Sequence, residues 1–79
     1  MSRARDVVEV VARALAGRPD EVFVTESDRR GQTVIELSMA PGELGRVIGR
    51  QGRVVRAIRT VLGAAAIKQN RRFMLEIPE

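Results

Sequence analysis

Two glycines three residues apart, Gly49 and Gly52, separate two apolar runs of helical period, and this junction limits the fold more than any other feature of the chain. Before the pair, Leu44, Val47 and Ile48 have the spacing of a helix of about two turns. After it, valine, isoleucine, leucine and alanine form a wider apolar stripe of the same period. Because glycine adopts positive φ without steric cost, the pattern predicts a sharp turn between two helices, the second beginning near Gly52.

The segment before this junction predicts one helix and a β-hairpin. Helical spacing runs from the N-terminus to Gly17, with Ser2 as the expected N-cap. The stripe predicted to be buried comprises Ala4, Val7, Val8, Val11, Ala14 and Leu15. Residues 21–26 and 33–39 are rich in β-branched residues and partly alternate, so they predict two strands joined by a basic tip at residues 27–32.

The last apolar segment, residues 72–77, alternates as a third strand that buries Phe73, Leu75 and Ile77. The two helices before it form a crossover long enough to make the second and third strands parallel, whereas the hairpin makes the first two antiparallel. The chain therefore predicts an α+β fold of order αββααβ, with three helices packed on one face of a three-stranded mixed sheet. At 79 residues it has room for one core, so residues 1–79 are predicted to be a single domain.

Composition excludes several classes of function. The chain has no cysteine and no histidine, which removes thiolate and imidazole metal sites and nucleophiles activated by histidine, so no cofactor or metal is predicted and a binding protein is favoured over an enzyme. Phe23 and Phe73 are the only aromatic residues, which argues against modules that stack bases on aromatic platforms. No apolar run is long enough for a signal peptide or a membrane span, so a cytoplasmic location is predicted.

Positive charge is concentrated in the second half of the chain. Residues 1–45 hold six arginines and eight acids, whereas residues 46–79 hold eight arginines or lysines and two acids. No carboxylate occurs between Glu43 and Glu76, so the arginines in that interval have no acidic neighbour in sequence to neutralise them. Those that flank the glycine pair or follow it in the next helix are Arg46, Arg50, Arg53, Arg56 and Arg59. Such a distribution attracts a polyanion.

The glycine junction combines three features that favour a backbone phosphate. At the start of the second helix, the amides of Gly52, Arg53 and Val54 are expected to lack intrahelical partners and to point at a ligand together with the positive end of the helix dipole. Arginines at positions 46, 50 and 53 surround the same spot. The alternative is that the glycines only make a turn and that the arginines only keep the surface soluble.

The segment Ile48-Gly49-Arg50-Gln51-Gly52 between two helices resembles the signature of a KH (K homology) domain. The order αββααβ is similar to the type II, bacterial arrangement of that domain. More narrowly, the chain resembles the small single-KH bacterial RNA-binding proteins called KH-domain protein A, over nearly its whole length. It departs from them in having arginine, where lysine is expected, at positions 46 and 50. Arginine forms bidentate phosphate contacts that lysine does not, so the affinity is expected to differ.

The resemblance implies that the domain grips single-stranded RNA, about four nucleotides at a time, as a post-transcriptional regulator or RNA chaperone. It gives the phosphate-binding role to Gly49, Arg50, Gln51 and Gly52. The resemblance also implies that Val47, Ile48 and Val54 form the floor of an aliphatic groove for the bases. Auxiliary phosphate contacts are assigned to Arg46, Arg53 and Arg56. Arg29 and Arg30 on the hairpin tip are expected to reach the far rim of the groove. The residues themselves do not distinguish RNA from single-stranded DNA.

Two other functions compete with RNA binding. An excess of apolar residues over positions 53–66, together with Phe23, Val34 and Met74 on the open face of the sheet, favours a protein-interaction module. For this function the resemblance implies a homodimer and a larger KH-containing RNA-binding protein as partners. The third candidate is an enzyme acting on a phosphorylated small molecule, but no lysine-serine phosphate-binding pair, histidine or clustered carboxylate accompanies the glycines.

Overall fold

The computed structural model describes residues 3–78 and has the predicted order of elements. The elements are α1 (Arg3–Leu15), β1 (Phe23–Arg29), β2 (Gln32–Ser38), α2 (Leu44–Ile48), α3 (Arg53–Gln69) and β3 (Arg72–Glu76), with single 3-10 turns at Pro19–Glu21 and Arg50–Gly52. Ser2, the expected N-cap of α1, lies outside the described residues. Within residues 3–78, none of the helices is long and apolar enough to cross a membrane.

The sheet is mixed, as predicted: β1 and β2 are antiparallel, and β2 and β3 are parallel. Val24 is paired with Leu37 and Ile35 with Leu75, which places these four buried side chains on one face. All three helices add residues to the same core: Ala4, Val8 and Ala12 from α1, Val47 from α2, and Val55, Ile58 and Leu62 from α3. The helices therefore pack on one face of the sheet, which confirms the predicted architecture.

The hairpin is longer and its turn tighter than the sequence predicts. Both strands continue to the register pair Arg29 and Gln32, so the turn consists of Arg30 and Gly31 alone instead of residues 27–32. Arg30 and Gly31 have φ of 50° and 81°, the positive values that two-residue hairpin turns require. The polar composition of residues 27–29 suggested a loop, but these residues lie in β1 where it is exposed to solvent.

Helix α1 packs on the core with only part of the predicted stripe: Ala4 and Val8 are buried and Val11 is half-buried against the core. The buried residues are Ala4, Val8 and Ala12, whereas Val7, Ala14 and Leu15 are exposed. The stripe is rotated because Arg5, beside Ala4, lies against the backbone of β1 and donates hydrogen bonds to the carbonyl oxygen of Val24. The long side chain of Arg5, whose charged end is hydrogen-bonded, can therefore occupy a half-buried position on the face where periodicity predicted a valine.

The open face of the sheet does not gather its apolar residues into one patch. Val34 is only 3% exposed and is paired with Ser27 on one side and Met74 on the other. Phe23 is 62% exposed but lies four residues away from Ser27 along β1. In β3, Leu75 is buried as predicted, whereas Phe73 and Ile77 are half-buried.

Candidate nucleic-acid interface

The glycine loop has a backbone path that requires glycine at both ends. Gly49 has φ 76° and ψ 172°, and Gly52, the N-cap of α3, has φ 71°. A Cβ added to Gly49 would lie 2.5 Å from Cγ2 of Val54, closer than real Cβ contacts allow. Gln51, between the glycines, also has positive φ, at 57°. The loop is therefore a tight junction that presents Arg50 and Gln51 to solvent.

The backbone amides of the loop are less available than expected. The N–H of Gly52 donates to the carbonyl oxygen of Gly49 at 3.1 Å, and the N–H of Arg53 donates to that of Arg50. The prediction that these two amides lack partners is therefore wrong. The 3-10 turn at Arg50–Gly52 uses their hydrogen-bonding capacity within the chain, and the exposed side chains of Arg50 and Arg53 remain as groups that can meet an anion.

Arg56 braces the loop from the first turn of α3. Its Nη2 donates to the carbonyl oxygen of Gln51 at 2.6 Å, and its Nε donates to that of Gly52 at 3.3 Å. Arg53 reaches the side-chain oxygen of Gln51 at 3.5 Å, at the limit of a hydrogen bond. The fork of the Arg56 guanidinium thus holds two successive loop carbonyls, a geometry that an ammonium group cannot reproduce.

Arg46 is neutralised by a carboxylate, contrary to the expectation from the sequence. Its Nε lies 2.8 Å from Oε2 of Glu43, one helical turn earlier. Burial raises the pKa of the Glu43 carboxyl, but hydrogen bonds from the backbone N–H groups of Gly17 and Arg18, together with the charge of Arg46, outweigh this effect and hold the pKa below its ordinary value. Arg50, in contrast, forms no ion pair within residues 3–78.

A groove of about 760 Å³ lies beside the loop. It is lined by Ser38, Met39, Ala40, Pro41, Gly42, Leu44, Gly45, Ile48 and Pro78. Of the three residues predicted for the groove floor, Ile48 lines this groove, Val54 is half-buried against Gly49, and Val47 is 0% exposed and belongs to the core. Val47 therefore supports the groove from beneath. Sequence reasoning missed Leu44, although it lies on the same helical face as Ile48, four residues earlier.

The hairpin tip lies at the other end of the domain. Gly31, next to Arg30, shares a cavity with Asn70 and Arg72, which follow the C-terminal end of α3. From Gly52 to Asn70 the helix spans about 27 Å, at roughly 1.5 Å per residue. Arg30 is therefore far from the glycine loop, and the expectation that Arg29 and Arg30 reach the far rim of the groove stays a prediction. The guanidinium of Arg29 lies 3.5 Å from the carboxylate of Glu76.

No group of three or more acidic, histidine or cysteine side chains suited to a metal ion occurs within residues 3–78. Ile48 and Leu44 give the groove an aliphatic wall, and Arg50 and Arg53 give the adjoining loop positive charge. The site can therefore accommodate a ligand that has a flat apolar part, which would contact the wall of the groove, and an anionic part, which would contact the arginines of the loop.

Comparison with known proteins places this geometry in a family. The family model for the KhpA/KhpB KH domain matches residues 5–77. Proteins named RNA-binding protein KhpA are similar over almost their full length: that of Aquifex aeolicus is 48% identical over 79 residues, covering 100% of both chains. The KhpA of Clostridium acetobutylicum is 45% identical over 73 residues, covering 92% of this chain and 97% of that one.

Among solved structures, the fold is similar to part of Era, crystallised in complex with MgGDPNP and nucleotides 1506–1542 of 16S ribosomal RNA. The TM-score is 0.58 at 20% identity, and the match covers 94% of this chain and 28% of the Era chain. This likeness concerns the fold, a KH-type arrangement of helices on a mixed sheet. With the family match and the relatives of nearly equal length, it leads to one conclusion: this chain belongs to the KhpA/KhpB family of KH domains.

Proposed function

We propose that this protein binds single-stranded RNA, with the sugar-phosphate backbone on the glycine loop and the bases in the adjoining groove. The observation that carries the proposal is the position of Arg50, which is exposed, has no carboxylate partner within residues 3–78, and follows the half-buried Gly49 directly. A phosphate can approach the loop because neither glycine has a side chain to block it. A KH domain usually holds about four nucleotides, and the same number is expected for the groove beside the loop.

The charges around the loop support a polyanionic ligand. Arg50 and Arg53 are exposed on one side of the loop, and Arg56 is held against its carbonyls on the other. Arg46 contributes less than the sequence suggested because Glu43 pairs with it. The naming of relatives at 42–48% identity as RNA-binding proteins supports RNA as the polyanion.

A site that holds the RNA backbone at the loop and the bases in an aliphatic groove tolerates different sequences, because few protein groups form hydrogen bonds with the base edges. We therefore propose a cytoplasmic post-transcriptional regulator or RNA chaperone, not a reader of one motif. A single domain with so small a contact area binds weakly, and useful affinity would come from a second copy or a partner that adds avidity.

The double variant Arg50→Asp/Gln51→Asp tests the proposal. Binding of a short single-stranded RNA, followed by fluorescence anisotropy at several salt concentrations, is expected to fall by about a hundredfold, because phosphate contacts dominate affinity in such complexes. The control Arg3→Asp/Val10→Asp makes the same change in net charge on the exposed face of α1 and is expected to change affinity by less than about threefold. Normal binding by the loop variant, with its fold intact by circular dichroism, would refute the proposal.

A second candidate function is self-association through α3. Ala57, Val61 and Ala64 are exposed and fall on one face of this helix, and Val61 is 50% exposed. A flat stripe of small apolar residues is suited to packing against another helix, either in a second copy of the chain or in a larger KH-containing protein. Sedimentation of the wild type and of Val61→Asp at micromolar concentration tests this function. A monomer in both cases, with no larger partner recovered, would rule it out.

A further inference from the structure

Helix α1 has an apolar stripe on its solvent side. This outer stripe consists of Val7, Val10 and Ala14, which are all exposed, Val7 at 38% and Val10 at 67%. Spacings of three and four residues place the three side chains on one side of the helix. The residues that α1 buries in the core lie on another side: Ala4, Val8 and Ala12. The outer stripe is therefore a surface on which a second helix can pack.

A recess of about 400 Å³ lies along the outer stripe. It is lined by Arg3, Asp6, Val7, Val10 and Val11. Alternating spacings of three and four residues are those of the apolar seam between two helices of a coiled coil. Because α1 is already held in helical form by its buried side, the cost of helix nucleation does not oppose the packing of a partner along this seam.

Two charges of opposite sign border the outer stripe on one flank. Asp6 and Arg13 are seven residues apart, which places them on the same flank and about 10 Å apart along the axis. Their side chains are 61% and 52% exposed. Within the domain Asp6 contacts Arg5 at 3.2 Å, and Arg13 contacts Glu9 at 3.5 Å. Exposed ion pairs of this kind contribute little free energy, so another partner can be added or exchanged.

Two α1 helices that pack antiparallel about a two-fold axis bring these charges together. When the axis passes close to Val10, this valine packs against its counterpart in the second copy, and Val7 packs against Ala14 of the second copy. Because the axis is perpendicular to both helices, the charged flank of one helix lies beside the same flank of the other. Asp6 of each copy is then opposite Arg13 of the other, which gives two equivalent ion pairs.

The placement of the charges favours a second copy as the occupant of the outer stripe. An isologous interface has to be complementary to itself, and Asp6 and Arg13 lie at nearly equal distances on either side of Val10. A parallel pair would set the charged flank against Val11 instead. The exposed stripe of α3 lacks this property, because every charged residue of α3 is basic and a second copy would meet like charges.

We infer that two copies of this chain associate through α1, as an antiparallel helix pair in which Asp6 of each copy is paired with Arg13 of the other. The inference goes beyond the proposed function and does not depend on it. One helix about 20 Å long on each side makes a small interface. Interfaces that bury less than about 1,200 Å² are typical of weak, transient complexes, so the dimer is expected to dissociate in the micromolar range.

Exchanging the two charges tests this pairing by sedimentation equilibrium at protein concentrations from about 5 to 500 μM. Asp6→Arg and Arg13→Asp each set like charges opposite one another, and each is expected to weaken self-association by about tenfold. The double variant Asp6→Arg/Arg13→Asp restores opposite charges and is expected to lie within about threefold of the wild type. Within a single α1 the two changes place like charges beside Arg5 and Glu9, so their effects add. Recovery in the double variant therefore reports contact between copies.

A disulfide cross-link locates the two-fold axis. The chain has no cysteine, so a single introduced thiol reacts only with its counterpart in another copy. Val10→Cys is expected to give mostly linked dimers on mild oxidation with oxidised glutathione, because residue 10 lies next to the axis. Val61→Cys on α3 is the matched control, since Val61 is also a half-exposed helical valine, and it is expected to stay mostly monomeric. Circular dichroism checks that every variant is folded.

Each contrary result is distinct. A wild type that is monomeric at every concentration would overturn the inference, as would a double charge variant that associates as weakly as the single variants. Dimers that Val61→Asp dissociates, or that are linked through Val61→Cys and not through Val10→Cys, would overturn it and assign self-association to α3. None of these results bears on the glycine loop, because a short RNA occupies one domain and its binding is tested by Arg50→Asp/Gln51→Asp.

Discussion

The guanidinium of Arg5 donates two hydrogen bonds to the carbonyl oxygen of Val24, from Nη2 at 3.0 Å and from Nε at 3.2 Å. Val24 belongs to β1, one edge of the sheet. At the other edge, Arg59 of α3 donates to the carbonyl oxygen of Leu75 in β3 at 3.4 Å. Edge strands present backbone groups that can recruit strands from other molecules, and here an arginine from a helix covers part of each edge.

We expect Arg5→Ala to lower the melting temperature by about 4 °C or more, because it removes both hydrogen bonds to Val24 and the contact with Glu9. The variant should also aggregate faster on heating, since the edge of β1 is uncovered. Differential scanning calorimetry and light scattering measure the two effects. Arg3→Ala, two residues earlier on the exposed side of α1, is the control. Identical melting and scattering by the two variants would contradict a role for Arg5 at the sheet edge.

Acid is expected to weaken the link between α1 and α2 through Glu43. Its carboxylate is stabilised in the fold by Gly17, Arg18 and Arg46, so its pKa is lowered and the folded protein binds the proton less readily than the unfolded chain does. The stability that Glu43 contributes is therefore fully present above its ordinary pKa of about 4.5 and is lost as pH falls through the lower value in the fold.

Glu43→Gln should accordingly melt several degrees below the wild type at pH 7, and the difference should narrow as the pH falls below about 4.5. Melting temperatures measured from pH 7 to pH 3 test this dependence. Asp20→Asn removes one exposed carboxylate, two residues after Arg18, and controls for the change in net charge. A difference between wild type and Glu43→Gln that stays constant over this range would show that the charge of Glu43 is not what matters.

Gly49→Ala should destabilise the fold by about 3 kcal/mol, because a Cβ at this position meets Val54 and the residue must keep φ near 76°. Urea unfolding measures the change. Gly63→Ala is the matched control: nothing lies within 4 Å of its added Cβ, and alanine in a helix interior is expected to stabilise by about 0.5–1 kcal/mol.

The double variant Gly49→Ala/Val54→Ala separates the two causes at position 49. Shortening Val54 removes the Cγ2 contact at 2.5 Å but leaves the backbone nitrogen of Val54 at 3.1 Å and the positive φ unchanged. Partial recovery, seen as a coupling energy of about 1 kcal/mol between the two sites, is therefore expected. Strict additivity of the two substitutions would mean that Val54 is not the obstacle.

Replacing Arg56 by lysine and by alanine distinguishes between two roles of its side chain, positioning the loop and supplying a charge for phosphate. Because its guanidinium holds the carbonyls of both Gln51 and Gly52, a lysine with the same charge cannot replace it. Arg56→Lys and Arg56→Ala should both weaken short-RNA binding, by about tenfold and to a similar extent. If Arg56→Lys binds like the wild type, Arg56 acts as a charge for phosphate and does not position the loop.

The sequence predicted the order of elements and the architecture because both depend on periodicity. Alternation identifies strands, and the crossover length between β2 and β3 determines their parallel pairing. The face of α1 was predicted less well, since periodicity alone treated Val7 and Leu15 as equivalent to Val8. The length of the hairpin was missed because β1 ends in polar residues whose strand conformation is imposed by pairing with β2.

At the candidate site, the glycines could be placed from sequence because their conformational role is local. The partners of the charges could not, since they depend on three-dimensional contacts. Glu43 accepts hydrogen bonds from the backbone N–H groups of Gly17 and Arg18 and also forms an ion pair with Arg46. No rule of sequence spacing connects Glu43 with the end of α1, so these contacts could not be predicted. The neighbours of the hairpin tip could not be predicted either, because they depend on the register between β2 and β3.

Val54 fills the space next to Gly49, and Arg56 holds the carbonyls that follow, so the junction and α3 form one stiff unit. A receptor already in its bound shape loses little conformational freedom when a ligand arrives, so most of the ordering entropy is lost by the flexible strand. For strands of equal length and charge, the proposed binding would then favour the strand whose free conformation is already nearest to its bound one.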